Sequence, residues 1–207
     1  MNAPTHRVPT YADRADTLSI PFGDTSAEVT LHIYEDLRGL ADATYERTAG
    51  PAVQQFADDG RIGVSYHFCT GLDHRLGGYG SLAALNAIGA AADVGTAQFS
   101  AFRSALYANQ PPEHEDRFSD AEFLLDIAAQ VPALRSDAFD QAVREGAFLP
   151  WAADVSAASS AARTTTTTPT LRVGDRVVHV IHPNGKAVGF LEVTAQIDLA
   201  LDFEGQD

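Results

Sequence analysis

Apolar and polar positions alternate over residues 17–22, where Leu18, Ile20 and Phe22 are set against Ser19 and Pro21. A period of two predicts a strand, and an internal proline, which cannot donate to a ladder, predicts an edge strand. Gly23-Asp24-Thr25-Ser26 is a turn cluster. Residues 29–34 alternate again and are rich in β-formers, which predicts a second strand. Over residues 39–58 the spacing changes: Leu40, Ala43, Tyr45, Ala49, Val53 and Phe56 fit one helix better than a strand. Pro51 lies in that run and predicts a kink, because its ring removes a donor and crowds the preceding turn. Asp59-Gly60 closes the run, and Ile62, Val64, Tyr66 and Phe68 begin another strand.

The middle of the chain is helical in pattern. Gly77-Gly78-Tyr79-Gly80 reads as a loose connection, followed by an alanine-rich helix over 81–92 and another over 98–107 that stops before Pro111-Pro112. Ser119 and Glu122 form a Ser-x-x-Glu capping box, which predicts a helix running to Ala129. Helices over 136–145 and 148–162 follow, with Trp151 in the core. β-character then returns over 170–173 and 176–181, separated by Gly174-Asp175, and Asn184-Gly185 is a hairpin signal. Leu191, Ala195, Leu199 and Phe203 recur every fourth residue and predict a final helix that packs this stripe on the sheet. The order predicts an α/β fold, a central mixed β-sheet interrupted by a helical insertion.

Composition narrows the function classes. The 207 residues are 45% hydrophobic, and 28 acidic residues against 14 basic ones give a net charge of −14. Such a surface repels nucleic acid and anionic membranes. The only cysteine is Cys69, so neither an internal disulfide nor a multi-cysteine metal site is expected. Residues 1–16 lack the apolar run of a secretory signal, and no stretch approaches the roughly 18 apolar residues of a membrane span. A cytoplasmic location is the expectation.

Residues 35–46, Glu35-Asp36-Leu37-Arg38-Gly39-Leu40-Ala41-Asp42-Ala43-Thr44-Tyr45-Glu46, run from a strand end into a helix start. This segment resembles the active-site segment of the DsbA-like branch of the thioredoxin superfamily, which reads acidic-x-x-Cys-x-x-Cys-x-x-aromatic-Glu. Gly39 and Asp42 stand at the two cysteine positions. Two further stretches resemble the same family in the right order: Leu106-Tyr107-Ala108-Asn109-Gln110-Pro111-Pro112-Glu113 in the helical insertion, and Thr168-Pro169-Thr170 before Leu171-Arg172-Val173. The resemblance spans roughly residues 17–203. It implies a thioredoxin-like fold with a flexible lead-in (1–15), a first core part (16–77), a helical insertion (78–162) and a second core part (163–207). It also implies a cis Thr168–Pro169 bond facing the helix start, with the Thr168 backbone open to an extended peptide.

Disulfide exchange needs a thiolate nucleophile and a second thiol that resolves the mixed disulfide. Gly39 and Asp42 supply neither. The vacated groove, formed by Asp36, Gly39, Leu40, Asp42, Thr168 and Pro169, is therefore expected to bind a peptide, a protein or a small molecule without redox turnover. Asp42 is open between a first-turn acid and a carboxylate facing Thr168 and Pro169 as a base or ligand anchor. Asp36 is open between a turn residue and a buried acid of raised pKa. Cys69 is open between a small buried residue, a single-cysteine catalyst activated by His67 or His74, and a weak metal candidate with His67 and His74. The alternative function is an enzyme of another class in the same groove, a thiol-cofactor transferase or isomerase type or one using Cys69. No cofactor is implied, Glu113-His114-Glu115-Asp116 reads as a solvated acidic loop, and a homodimer is one open assembly state.

Overall fold

The computed structural model describes residues 6–162 and 167–204. Residues 1–5 of the expected lead-in and Thr164, Thr165 and Thr166 of the threonine run lie outside the described residues. Among the described residues, five strands form one sheet in the order β1-β3-β2-β4-β5: β1 (Ile20–Gly23), β2 (Thr30–Glu35), β3 (Gly63–Phe68), β4 (Thr170–Val173) and β5 (Arg176–Val178). β2 and β3 are parallel, and every other neighbour is antiparallel. β1 with Pro21 is an edge, as its sequence requires. In β2, the alternation puts Leu31, Ile33 and Glu35 on the buried face and leaves His32 and Tyr34 half-buried on the other.

Helices α1 (Leu40–Thr48) and α2 (Gly50–Asp58) connect β2 to β3. After β3 come α3 (Gly71–Leu76), α4 (Gly80–Val94), α5 (Thr96–Ala108), α6 (Ala121–Ala128), α7 (Asp137–Glu145) and α8 (Leu149–Ala162), and α9 (Phe190–Glu204) ends the described chain. α4 is the centre of the helical part. Ala84, Leu85, Ala87 and Ile88 are fully buried on it. A Cβ added at Gly89 would fall 2.9 Å from the Phe148 Cβ, so only glycine lets Phe148 and Trp151 pack that closely against α4. Trp151 is buried, and its indole N–H donates to the Thr17 carbonyl at 2.7 Å, tying the helical part to the chain entering β1.

Several local expectations are corrected. The kink expected at Pro51 is a full break: the helix ends at Ala49, and Pro51 sits in the first turn of α2, where a missing N–H costs nothing. The cap of α6 is Asp120, whose carboxylate accepts from Glu122 N, while the Ser119 hydroxyl donates to the Asp116 carbonyl in a 3₁₀ turn. The glycines at 77–80 are not loose, because the Tyr79 and Gly80 amides donate to Asp116 at 2.9 and 2.8 Å. The acidic loop at 113–116 is thereby structural rather than only solvated. The strand expected over 176–181 stops at Val178, and the Asn184-Gly185 turn closes a single bridge between Ile181 and Ala187. On α9 the stripe is reversed: Val193, Ile197 and Ala200 are buried, while Leu191 and Leu199 face solvent. Residues 6–15 form no helix or strand, yet they are docked: Arg7 pairs with Asp93, and the Thr10 amide and hydroxyl donate to it.

Candidate functional site

The site begins where β2 delivers the chain to α1. Asp36 turns it, with Gly39 N donating back to the Asp36 carbonyl at 2.8 Å. Gly39 is the N-cap in extended conformation and has no side chain with which to cap. Asp42, one turn in, folds its carboxyl back into the space that a side chain at 39 would enter. A Cβ at Gly39 would lie 2.0 Å from Asp42 Oδ2. That oxygen accepts from Thr168 Oγ1 at 2.9 Å, and Oδ1 accepts from the Asp36 amide at 3.2 Å. One carboxyl thus joins the helix start to a loop 126 residues away. The Thr168–Pro169 peptide bond is cis. Asp42 is 1% exposed, and burial pushes its pKa well above the usual carboxylate range, with the charge of Glu35 adding to the rise.

Asp36 is held by neutral donors. The Ser81 hydroxyl (2.7 Å) and Arg38 amide (3.1 Å) donate to Oδ1, and the Leu72 amide (3.1 Å) to Oδ2. Burial outweighs these bonds and raises its pKa to about 6. Glu35, the preceding residue, points to the opposite side. Arg103 Nε and Nη2 donate to its two oxygens at 2.7 and 2.6 Å, and Nη1 donates to Glu46 at 2.6 Å. Burial opposes the charge on Arg103, but Glu35 and Glu46 outweigh it and push its pKa up. The guanidinium also lies over the rings of Tyr66 and Tyr107. Sequence patterning missed this cluster; Arg103 is the one member whose flanks, Phe99 to Tyr107, carry no other charge.

The turn at 37–39 is clamped from the helical part. Arg38 is buried, donating to Asp73 (3.1 Å) and to the carbonyls of Gly77 (2.9 Å) and Glu113 (3.1 Å). Gln110 donates to the carbonyls of Leu37 and Gly39 at 3.2 and 3.0 Å. Glu113 accepts from Leu40 N at 3.4 Å. Gln110 and Glu113 of the 106–113 stretch thus hold the 37–40 turn in place.

A cleft of about 830 Å³ opens over this arrangement. Asp36, Gly39, Asp42 and Thr168 line it together, and Cys69 is on its wall. Two expected groove residues are placed differently. Pro169 lines an adjoining hollow of about 450 Å³ with Arg172 and His179, and Leu40 is half exposed at the helix start, off the cleft lining. Thr70, Arg75, Glu113 and Ser159 were not expected in the lining. Arg75 escaped notice because α3, only six residues long, has too few turns to show a period.

His67, Cys69 and His74 are not brought together, and among the described residues no group of three His, Cys, Asp or Glu is placed to hold a metal. β3 ends at Phe68, so the shared face expected of residues 67 and 69 is lost. His67 Nε2 lies 3.0 Å from His32 Nδ1, and its ring stacks on Tyr34. Burial, then the neighbouring His32, lowers its pKa to about 4. Ser159 Oγ donates to Cys69 Sγ at 2.9 Å, and His74 lines a third hollow of about 530 Å³ with Arg75. Among the described residues no helix is long and apolar enough to cross a membrane.

The family model described as Thioredoxin matches residues 16–196. The fold is similar to oxidised DsbA of Mycobacterium tuberculosis (TM-score 0.69, 21% identity, covering 90% of this chain and 93% of that one). It is also similar to oxidised BdbD of Bacillus subtilis (0.71, 18%, 90% and 92%) and to DsbA of Chlamydia trachomatis (0.68, 16%, 99% and 98%). No curated protein matches in sequence.

Proposed function

The chain belongs to the thioredoxin family, on its DsbA-like branch, and from that premise we propose that it is a non-redox binding protein. Its groove between the α1 start and the Thr168 loop holds a peptide, a partner protein or a small molecule. The observation that carries this reading is the coupling of Gly39 and Asp42. The positions that carry thiols in the family hold a hydrogen and a carboxyl, and the carboxyl fills the space of the missing side chain. Neither atom set can attack a disulfide or leave as a thiolate. What supports retained binding is the upkeep of the frame: Arg38, Gln110 and Glu113 still fix the turn, and Thr168 still faces the helix start. The test is an amide-resolved NMR titration of the isotope-labelled protein with a pool of random extended peptides. Perturbations centred on Gly39, Ala41, Asp42 and Thr168 are expected; perturbations confined to other surfaces would overturn the reading.

A second reading rests on Cys69, which lines the same cleft. In it, the Cys69 thiolate attacks one sulfur of a bound disulfide, that half stays on Cys69 as a mixed disulfide, and the other half leaves as a thiolate. Mass spectrometry after exposure to glutathione disulfide tests this: a glutathione adduct on Cys69 that the Thr168→Lys variant does not form supports it, and equal labelling in both variants removes it.

A further inference from the structure

We propose that the groove selects extended peptides carrying carboxylates on both sides of the stretch that crosses Thr168. The proposal rests on the binding reading above and specifies its ligand. The main cleft and the Pro169 hollow share Ala41, Thr167 and Thr168, so they meet at that loop. The main cleft and the His74 hollow share Thr70, Gly71 and Arg75, so the groove continues in the other direction as well. One continuous depression therefore runs from His74 and Arg75, past Thr168, to Arg172 and His179.

The charges along this path differ from those of the chain as a whole. The protein has a net charge of −14. Four arginines elsewhere are closely neutralised: Arg38 sits 3.1 Å from Asp73, Arg61 2.7 Å from Asp198, Arg103 2.6 Å from Glu35 and Arg144 2.6 Å from Glu122. The two groove arginines hold their carboxylates at 3.8 Å, Arg75 with Glu113 and Arg172 with the fully exposed Asp175. Arg172 additionally donates to the Asp175 carbonyl at 3.0 Å. An incoming carboxylate meets two cations whose partners are beyond hydrogen-bond distance, one towards each end.

The acids of the lining do not cancel this. Glu113 accepts from the Leu40 amide at 3.4 Å, with Arg75 3.8 Å away. The Asp36 carboxyl is turned to Ser81, Arg38 N and Leu72 N. Asp42 is bonded to Thr168, and burial holds it towards its uncharged form, so the middle of the path does not repel a peptide. A basic peptide would meet Arg75 towards one end of the path and Arg172 towards the other.

The test is capture on the immobilised protein of a synthetic pool of 12-residue peptides in which every position is drawn from acidic, basic and uncharged residues. Retained peptides should be enriched in Asp and Glu at two separated positions around an uncharged centre, and retention should fall with salt. Arg75→Gln and Arg172→Gln should each weaken binding of a retained peptide roughly two- to fivefold, the scale of an exposed ion pair. The double variant should lose the acidic enrichment. Retention that is blind to charge, or that favours basic peptides, overturns the proposal and leaves the groove reading standing. Equal retention by the wild type and by Thr168→Lys, checked to be folded by its thermal transition, overturns both.

Discussion

Glu35 and Asp36 are adjacent in sequence and both buried, yet they sit in opposite electrostatic worlds. Glu35 faces a guanidinium that spans it and Glu46 with three hydrogen bonds of 2.6–2.7 Å. Asp36, with Asp42 beyond it, is satisfied by hydroxyls and amides and touches no cation among the described residues. The first cluster is sealed between the sheet and α5; the second lines the cleft. The difference teaches where ionisation is spent. The paired acids hold the domain together, whereas burial raises the pKa of the unpaired ones where they line the cleft.

The largest expected effect breaks the paired side. Arg103→Met leaves Glu35 buried without its cation and should cost about 3–5 kcal/mol in urea unfolding, the usual scale for orphaning a buried charge. Adding Glu35→Gln should recover a substantial part. A loss below about 1 kcal/mol, with no recovery in the double variant, would mean that the cluster does not carry the stability assigned to it.

The unpaired side is next, through pH. The folded pKa of Asp36 is raised from 3.8 to about 6. Its contribution is therefore fully present below pH 3.8 and is lost as pH rises through about 6, on the order of 3 kcal/mol. His67 acts in the other sense: lowered from 6.5 to about 4, it contributes stability above pH 6.5 that is lost as pH falls through about 4. The two offset each other across this window. Asp36→Asn should unmask His67, so the variant's stability falls more steeply on acidification than the wild type's. Parallel curves of stability against pH would contradict the assignment.

A smaller effect sharpens the Gly39–Asp42 coupling. Gly39→Ala places a methyl on Asp42 Oδ2 and should destabilise, whereas the same change in an Asp42→Ala background should be tolerated. The coupling in a double-mutant cycle should fall at about 1–3 kcal/mol. Additive losses would show that the carboxyl does not occupy that space.

Most of this frame was legible in the chain. The period of two over residues 29–34 and 62–68 placed the two central strands: β2 alternates because one face is buried, whereas β3 is buried at five of its six positions and alternates only in side-chain type. The helix expected over 136–145 is found at Asp137–Glu145, capped by Ser136, which accepts from Phe139 N. Ser119 was misread because Asp120, one residue later, is the better acceptor. The α9 stripe failed for a related reason: apolar residues lie on two faces of that helix, and a four-residue step cannot say which one meets the sheet. In the site, Asp36, Gly39, Asp42 and Thr168 were identified by resemblance to a known segment. Arg75, Glu113, Ser159 and Arg103 were not, since side chains that meet across 35–90 positions of sequence leave no local pattern.

The central claim is that a carboxyl has taken the place of a thiol, leaving a groove that binds and does not exchange. Reduction of insulin disulfides, followed by turbidity in the presence of dithiothreitol, tests it most directly. The wild type and Cys69→Ser should both match the uncatalysed rate. Clear acceleration by Cys69→Ser, a protein with no sulfur at any cysteine position, would contradict the account.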